Sequence, residues 1–267
     1  MSNVDGISVV IPLYNAKNTI VRTLESICSQ TNIQKIKEIV VVNDGSTDGS
    51  EKLVLDYSRT SDILIRLINK PNGGVSSARN EGIKSATESW IAFCDSDDVW
   101  LSYKIEKQLD VLSKVDADFI GGNHTDKPLK ILGKKITSLH KATVYELCIK
   151  MFPQTSTILV KKEMCEHFNC FNEDQQYCED GNLFIKIASI GNYYYIPEQL
   201  TIFGDGKRGF GVSGLSANLK GMQQGSMDNL DEFRKMGIIS TSFWILMKIF
   251  YNLKYIRRIV IVKMSEK

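Results

Sequence analysis

The sequence predicts an α/β fold in which helices cover both faces of a mostly parallel central sheet. Over about 120 residues, short β-rich runs alternate with helix-compatible stretches. The first of these runs, residues 7–12, is an almost unbroken apolar stretch, as expected of a parallel strand that is buried on both faces. Polar loop residues follow the ends of several of these runs. Because the carboxyl ends of parallel strands meet at one edge of a sheet, we expect a ligand site there.

Each element of the first half follows from a local pattern. Residues 7–12 (ISVVIP) form an apolar run that ends at a proline, which predicts a buried strand. Asn18 or Thr19 can cap the helix after it, and Asp48 can cap the helix after the second strand. Further strands are predicted at residues 38–43, 63–68, 90–94 and 118–122, with helices at 74–86 and 101–112.

The second half of the chain is less regular. Residues 156–160 are a strand candidate, and residues 180–190 are a helix that follows an acidic pair. Residues 204–214 (GDGKRGFGVSG) are glycine-rich, which predicts a mobile loop. At this length we expect one large domain with an appendage. The predicted bounds are 1–215 for the main domain, with halves 1–122 and 123–215, and 216–267 for a helical extension.

The composition excludes some classes of protein. With 33 Lys and Arg residues against 31 Asp and Glu residues, the net charge is +2, which argues against a general nucleic-acid binder. The six cysteines form no CxxC pair, which favours free thiols in a reducing compartment. The group from Cys165 to Cys178 includes His167, but its spacing matches no standard zinc pattern. The first residues, MSNVDG, lack the pattern of a secretory signal, so the cytoplasm is the expected compartment.

Residues 95–98 (DSDD) follow an apolar strand and crowd three carboxylates into one turn. Without a partner these carboxylates would repel one another, and a divalent cation removes the conflict. Hard oxygen ligands favour Mg²⁺ or Mn²⁺, which proteins usually hold with one or two carboxylates and the phosphates of a substrate. The alternative is a solvated acidic turn in which Asp98 caps the next helix. The polar groups at the other strand ends favour the metal interpretation.

Two further polar segments follow strands two and three. Asp44 lies on a tight turn, where its carboxylate suits an N–H group of a base or a ribose hydroxyl, although a simple strand-to-helix turn needs no ligand. Residues 70–80 (KPNGGVSSARN) form a glycine-rich turn into a helix. Backbone N–H groups around Gly74 and the side chain of Arg79 can therefore bind a diphosphate. The segment lacks the GxxxxGK[ST] pattern of a Walker loop.

Glu179 and Asp180 open a predicted helix, where the positive end of the helix dipole keeps carboxylates ionised. Such a pair suits a general base that removes a proton from an attacking hydroxyl. Taken alone, ordinary capping of the helix is the simpler interpretation.

Together these segments resemble glycosyltransferase family 2, whose fold is GT-A. The matching segments follow the family's order over about two-thirds of the chain. They are residues 8–15 (SVVIPLYN), 41–48 (VVNDGSTD), 72–80 (NGGVSSARN), 93–98 (FCDSDD) and 179–180. The resemblance implies a Rossmann-like sheet in which residues 1–122 bind a nucleotide sugar and residues 123–215 bind the acceptor. Asn43 stands where many relatives carry an aspartate, which leaves Asp44 as the informative position.

For the donor, the resemblance implies that Asp44 contacts the uracil of a UDP-sugar. Pro12, Tyr14 and Asn15 are expected to line the base pocket. Arg79 is expected beside the nucleotide. UDP-glucose, UDP-galactose and N-acetylated relatives all remain open as donors, because the choice depends on pocket shape in the irregular middle region.

For the chemistry, the resemblance implies inverting transfer in one displacement. Asp95, Ser96 and Asp97 are similar to the family's DxD element, with Asp97 as the expected ligand of Mn²⁺ or Mg²⁺ and Asp95 nearer the ribose. Asp180, beside Glu179, is the expected base, which deprotonates an acceptor hydroxyl for attack on the anomeric carbon opposite the departing UDP. The metal is expected to neutralise the diphosphate as charge builds on it.

Residues 204–214 are placed to form a lid over donor and acceptor, where Lys207 or Arg208 could meet a phosphate. A disordered connection explains the same composition equally well. The run 210–218 (FGVSGLSAN) is similar to that of family members that build bacterial surface polysaccharides such as O-antigen and lipopolysaccharide. This similarity implies a saccharide acceptor that is linked to a lipid through a polyprenyl diphosphate.

Residues 243–262 form an apolar and aromatic tail that contains Lys248, Lys254, Arg257 and Arg258. The tail is near the ~20 residues that span a bilayer, but the basic residues interrupt it. Basic residues beside aromatic ones suit a helix in the headgroup region at the inner face of the cytoplasmic membrane. A helix that packs against the core or forms a homodimer is the alternative.

Two other functions fit parts of the pattern. A sugar nucleotidyltransferase also binds a nucleotide and a metal on such a sheet, but it carries a glycine-rich basic segment where this chain has PLYN. A non-catalytic protein that binds nucleotide sugars is disfavoured because Asp97 and Asp180 are both present. The transferase interpretation is therefore preferred.

Overall fold

The structure is a computed structural model that describes residues 4–203 and 217–265. Its strands are β1 (Ile7–Leu13), β2 (Ile36–Asp44), β3 (Leu64–Lys70), β4 (Trp90–Phe93), β5 (Val99–Trp100), β6 (Phe119–Asn123), β7 (Lys130–Ile131), β8 (Lys134–Lys135), β9 (His140–Lys141), β10 (Leu159–Lys161), β11 (Tyr193–Gln199) and β12 (Thr201–Ile202). Its helices are α1 (Ile20–Cys28), α2 (Ser50–Ser58), α3 (Val75–Ser85), α4 (Lys104–Lys114), α5 (Val144–Ile149), α6 (Lys162–His167), α7 (Glu179–Ile190), α8 (Leu219–Lys235) and α9 (Thr241–Ser265).

The central sheet has eight strands in the order β3-β2-β1-β4-β10-β6-β11-β9. The pairs β1–β2, β1–β4, β2–β3 and β6–β11 are parallel, which confirms the predicted mostly parallel sheet. β10 runs antiparallel between β4 and β6, and a 3₁₀ turn at Thr155–Thr157 precedes it. The predicted strand at 156–160 is therefore shorter than expected, and its first residues form a turn at the edge where the parallel strands end.

Strand β1 is buried along its whole length. Val9 and Ile11 share a core cluster with Leu24 of α1, whereas Val10 shares the other cluster with Ile83 of α3. Alternate side chains of a strand point to opposite faces of the sheet, so helices cover both faces of β1. This explains why the run is apolar without alternation.

The predicted helix caps are partly wrong. Thr19 is the N-cap residue of α1, but its hydroxyl donates to a carbonyl of the preceding turn instead of accepting from a helical N–H. Gly49, with a φ of 85°, is the N-cap residue of α2 in place of Asp48. Asp48 accepts hydrogen bonds from the backbone N–H groups of Ser50 and Lys17. Its carboxylate therefore joins the start of α2 to the loop after β1, which a local pattern does not reveal.

Helices α8 and α9 pack on the second half of the sheet. Phe233 of α8 and Met247 of α9 belong to the same core cluster as Phe184 of α7. Asp231 of α8 pairs with Lys248 of α9 at 2.7 Å. The predicted extension therefore shares its core with the preceding residues, while the boundary at residue 215 lies outside the described residues and stays a prediction. Within the described part of the chain, no helix is both long and apolar enough to cross a membrane.

Candidate active site

The loops after β1 and β2 are joined at the edge where both strands end. The backbone N–H of Asn15 donates to Ser46 Oγ at 3.0 Å, and Asn15 Oδ1 accepts from the N–H of Thr47 at 2.9 Å. Asn15 has a φ of 49°, a left-handed conformation that asparagine tolerates better than most residues. Pro12 is buried in β1, whereas the ring of Tyr14 is 55% exposed. An aromatic surface is therefore available at this edge.

Asp44 ends β2 and is buried beneath the glycine-rich loop that follows β3. Its carboxylate accepts hydrogen bonds from the N–H groups of Gly73 and Gly74, at 2.9 and 2.8 Å. Lys70 Nζ lies 2.7 Å from the same carboxylate. Gly74 has a φ of 89°, a conformation that residues with a side chain rarely adopt. Asp44 therefore holds this loop in place over the end of the sheet.

Lys70 begins the glycine-rich segment 70–80, but the motifs did not reveal its pairing with Asp44. It lies at the end of β3, in register with Asp44 at the end of the neighbouring strand β2. Opposite charges at the ends of two adjacent strands are a usable signal, but only once the strand bounds are known. The predicted third strand ended at residue 68, two residues too early to show this pair.

The acidic turn after β4 is held by side chains from other parts of the chain. Thr23 of α1 donates its hydroxyl to the carbonyls of Ser96 and Asp98, at 3.1 and 2.9 Å. Ser156 Oγ donates to the carboxylate of Asp98 at 2.6 Å and accepts from the N–H of Asp95 at 2.9 Å. The 3₁₀ turn before β10 supplies Ser156, which the sequence did not nominate.

The three carboxylates of this turn differ in their surroundings. Asp98 is fully buried and also accepts from Gln154 Nε2 at 2.8 Å. The interpretation of Asp98 as a solvated helix cap is therefore wrong, since α4 begins only at Lys104. The side chain of Asp95 is 26% exposed, and Asp97 is exposed. Asp98 is thus a structural residue, while Asp97 faces the solvent.

Arg79 of α3 connects the acidic turn with the start of α7. Its guanidinium lies 2.8 Å from Asp95 and 3.0 Å from Glu179, which is 100 residues away in sequence. The guanidinium also lies 5.3 Å from the ring centre of Phe171. Burial disfavours the charged form, but the carboxylates of Asp95 and Glu179 outweigh it and raise the pKa of Arg79. Arg79 is thus a buried, permanently charged link between the two predicted acidic motifs.

Glu179 and Asp180 begin α7 as predicted, but their environments differ. Glu179 is buried against Arg79, and burial together with the charge of Asp180 raises the pKa of Glu179 to about 7. Asp180 is half-buried and accepts from the N–H of Gly181 at 2.7 Å. Burial raises the pKa of Asp180 as well, against the opposing charge of Arg79. A carboxyl group with a raised pKa at an accessible position suits proton transfer near neutral pH.

Asp180 lines a cavity of about 540 Å³ between the second half of the sheet and the C-terminal helices. This volume lies in the range of small-molecule sites. Side chains of the turn before β10, of β11, α8 and α9 contribute to its lining, among them Gln154, Tyr195, Met222 and Tyr251. None of Asp44, Asp95 and Asp97 lines it. We define the edge of the sheet that carries Asp44, Asp95 and Asp97 as the acidic edge. The cavity and the acidic edge are therefore distinct spaces, and they meet at the start of α7.

The residues of the acidic edge fit a cation only in part. Among residues 4–203 and 217–265, no group of three or more His, Cys, Asp or Glu side chains is arranged to hold a metal ion. Asp95 is engaged by Arg79, and Asp98 by Ser156 and Gln154, which leaves an incomplete set of oxygen donors around Asp97. Such a set fits Mg²⁺ or Mn²⁺ that takes its remaining ligands from substrate phosphates.

The predicted lid at 204–214, with Lys207 and Arg208, lies outside the described residues. The six cysteines are all free thiols, and Cys165 is buried in the core.

The chain is similar to known proteins over most of its length. The family model described as glycosyl transferase family 2 matches residues 8–185, a range that contains the five segments from SVVIPLYN to Glu179–Asp180 that carry the resemblance. An uncharacterized glycosyltransferase of Rickettsia felis is 34% identical over 199 residues, which are 73% of this chain and 32% of that protein. The Escherichia coli UDP-Glc:alpha-D-GlcNAc-diphosphoundecaprenol beta-1,3-glucosyltransferase WfgD is 36% identical over 119 residues, which are 44% of this chain and 45% of that protein. The chain thus spans less than half the length of either relative.

Solved structures show the same fold. S. aureus TarS 1–349 in complex with UDP-GlcNAc has a TM-score of 0.72 and 16% identity, and the likeness covers 92% of this chain and 71% of that one. The mannosyltransferase PcManGT from Pyrobaculum calidifontis, in complex with GDP-Man and Mn²⁺, has a TM-score of 0.67 and 21% identity, over 86% of this chain and 64% of that one. At these identities the likeness shows the fold, which is GT-A.

Proposed function

This chain belongs to glycosyl transferase family 2, and we propose that it is a metal-dependent inverting hexosyltransferase. It moves a hexose from a UDP-sugar to a hydroxyl group of a saccharide that is carried on a polyprenyl diphosphate, in the synthesis of a bacterial surface polysaccharide. The observation that carries the proposal is the buried link through Arg79, because it brings the acidic turn and the Glu179–Asp180 pair together across 100 residues.

The donor lies along the edge formed by β1, β2 and β4. The exposed ring of Tyr14 offers a surface on which a base can stack. A carboxylate has about four lone-pair positions, and Lys70, Gly73 and Gly74 occupy three of those on Asp44. One acceptor position therefore remains for the N–H of a uracil. Complexes of TarS with UDP and UDP-GlcNAc, and the UDP-Glc in the name of WfgD, support a UDP-sugar as the donor.

The transfer is a single displacement. An acceptor hydroxyl in the cavity gives its proton to the carboxylate of Asp180 while its oxygen forms a bond to the anomeric carbon. The bond between that carbon and the UDP oxygen breaks on the opposite side, which inverts the configuration. Glu179 stays paired with Arg79 and fixes the position of Asp180 at the start of α7. Mg²⁺ or Mn²⁺, when held by Asp97 and the diphosphate, supplies positive charge for the departing UDP.

The outer side of α9 supports a peripheral position at the membrane. Its apolar residues recur at helical spacing and are between 49% and 73% exposed; they are Ile245, Leu246, Ile249, Leu253, Ile256, Val260 and Met264. We define these residues as the α9 stripe. An apolar stripe on a helix that does not span the bilayer suits the headgroup region of the inner leaflet, where a lipid-linked acceptor resides. A homodimer through the α9 stripe is the alternative.

Calorimetric titration with UDP and a panel of UDP-sugars tests the proposal, first with Mn²⁺ and then with EDTA. We expect binding that depends on Mn²⁺, and the tightest UDP-sugar is then tried in transfer assays with a polyprenyl-diphosphate acceptor. Binding of ADP- or GDP-sugars in place of uridine nucleotides would overturn the uracil assignment. Binding of no nucleotide sugar at all would overturn the transferase assignment itself.

A further inference from the structure

The cavity beside Asp180 carries an excess of positive charge. Among the described residues that line it, the basic side chains are Lys127, Lys150, Lys254 and Arg258, whereas Asp180 is the one carboxylate. A neutral saccharide needs hydrogen-bond partners, but its binding does not require four cations around one carboxylate. The lining therefore indicates a ligand with negative charge.

Two of these cations are half-buried and two are exposed. Lys254 and Arg258 are four residues apart on α9, so they project from the same side of the helix, and both are half-buried. Lys150, directly after α5, and Lys127 are exposed. Burial and the nearby charges of Arg258 and Lys150 lower the pKa of Lys254 to about 8. Like charges this close repel one another, and an anion in the cavity would reduce that repulsion.

These cations lie in the cavity, away from the acidic edge where the diphosphate of the proposed donor binds. The cavity is lined by Asp180 but not by Asp44, Asp95 or Asp97, which form the acidic edge on the other side. A nucleotide bound along that edge has its diphosphate near the acidic turn, where a divalent cation can neutralise it. The cations of the cavity therefore face the molecule that attacks, not the molecule that leaves.

The environment of Lys254 and Arg258 in the structure differs from the one that the sequence predicted. Lys254 and Arg258 were expected in a helix that contacts lipid headgroups, but in the structure they point inward while the α9 stripe points outward. Of the four basic residues of the tail, Lys248 pairs with Asp231, and Arg257 is exposed. The inward orientation gives Lys254 and Arg258 a site that the headgroup interpretation does not explain.

We infer that Lys150, Lys254 and Arg258 form an anion subsite of the acceptor cavity, which binds a phosphate or diphosphate adjoining the acceptor sugar. This inference rests on the proposed function, since it assigns the cavity to the acceptor. Arg258 supplies a planar fork that matches phosphate oxygens in pairs, and the lysines add point charges. The same chemistry is offered by a sugar diphosphate on a lipid and by a soluble sugar phosphate.

A binding experiment tests the subsite without knowledge of the acceptor sugar. The full chain is saturated with UDP and Mn²⁺ to fill the donor site, and octyl diphosphate is then titrated by calorimetry. We expect Arg258→Gln and Lys254→Gln each to weaken binding of octyl diphosphate by about 10- to 100-fold, as expected for loss of a charged hydrogen bond. The matched control is Arg257→Gln, on the exposed side of the same helix, which should bind like the unmodified chain.

The measurement with UDP in the same samples keeps the two proposals distinguishable. If UDP binds but octyl diphosphate does not, or if Arg257→Gln weakens its binding as much as Arg258→Gln, the subsite is overturned while the donor site stands. If UDP itself does not bind, the proposed function fails. Titration with glucose 1-phosphate identifies the source: weaker binding than octyl diphosphate supports a lipid-linked ligand, and equal binding supports a soluble sugar phosphate.

A transfer assay extends the test to catalysis. The acceptors are N-acetylglucosamine on an octyl diphosphate and the same sugar as a neutral octyl glycoside. We expect Arg258→Gln to raise the KM for the diphosphate acceptor about 10- to 100-fold and to leave the KM for the neutral glycoside unchanged. Equal losses on both acceptors would mean a structural role and would overturn the subsite.

Discussion

The acidic edge and the cavity differ in the charges that they carry. At the edge, the buried charges have partners within the protein: Asp44 pairs with Lys70, and Arg79 pairs with both Asp95 and Glu179. In the cavity, four cations share the lining with one carboxylate. The edge is therefore preorganised before a ligand arrives, whereas the lining of the cavity carries the positive charge that the proposed anion subsite requires. The two regions meet at α7, where Glu179 belongs to the first and Asp180 to the second.

The strongest test of this division replaces Asp180, the proposed base, which lies on the cavity side. We expect Asp180→Asn to lower kcat by about 10²- to 10⁴-fold, the usual contribution of a general base, and to leave the affinity for the UDP-sugar unchanged. Rates of transfer and calorimetric titration with the donor check the two halves of the prediction. Asp174→Asn, an exposed acid that precedes α7, is the matched control. Unchanged transfer by Asp180→Asn would remove its role as the base.

A second test breaks the link between the two regions. Arg79→Ala leaves Asp95 and the buried Glu179 without their cation, so we expect a loss of about 3–5 kcal/mol in the free energy of unfolding. Denaturant unfolding measures it. Arg59→Ala, an exposed arginine that pairs with Asp56 on the surface of α2, should cost less than about 1 kcal/mol. Equal losses in both variants would mean that the Arg79 link does not hold the two motifs together.

A third test concerns the edge alone. We expect Asp97→Ala to lower turnover in the presence of Mn²⁺ by about 100-fold, because an exposed carboxylate of an incomplete donor set is lost, while the fold stays intact. EDTA should inactivate the unmodified chain to a similar extent. Normal activity of Asp97→Ala with Mn²⁺ would reject Asp97 as the metal ligand, and the circular dichroism spectrum controls for folding.

The two carboxyl groups at the start of α7, Glu179 and Asp180, predict how the rate of transfer depends on pH. The base must be ionised to accept a proton, and the pKa of Glu179 is raised to about 7 while that of Asp180 is also raised. The rate should therefore fall as the pH falls through the raised pKa of Asp180, by about tenfold for each unit below it, since the ionised fraction falls in that proportion. A profile of kcat/KM between pH 5 and 9 measures it. A profile that is flat down to pH 5 would contradict the raised pKa values.

The smallest expected effect lies on the outer side of α9. We expect Leu253→Ser and Ile256→Ser each to weaken sedimentation with anionic lipid vesicles by several-fold, because less apolar surface enters the headgroup region. Leu55→Ser, a similarly exposed leucine in α2, is the control. Point substitutions are preferable to deletion of the tail, since Met247 packs in the core. Unchanged sedimentation would favour packing between two copies of the chain.

The acidic edge was largely predictable from the sequence. Its residues lie in short segments directly after strands, and strand ends can be located from apolar runs. Residues from distant parts of the chain that support the edge were not predictable in the same way. Lys70 required the register of β2 and β3, and Ser156 required the antiparallel insertion of β10 between β4 and β6.

The cavity was hardly predictable at all. Its lining comes from short stretches between residues 122 and 258 that carry no shared motif. The spacing of Lys254 and Arg258 shows that they share one side of a helix. It does not show whether that side faces the protein or the membrane, because apolar residues on α9 occur on both sides: Met247 packs in the core, and Leu253 is exposed.

The sequence by itself determined the family, the positions along the chain of the strands that build the proposed donor edge, and the carboxylates available there. These follow from local patterns, since an apolar run and the polar loop after it are contiguous in the chain. Only the tertiary structure decided which of the carboxylates are engaged by a partner, as Asp98 and Glu179 are, and which way α9 faces. Those properties depend on pairings between residues that are 50 to 100 positions apart, such as Asp98 with Ser156 and Arg79 with Glu179. A pattern in one segment carries no information about them.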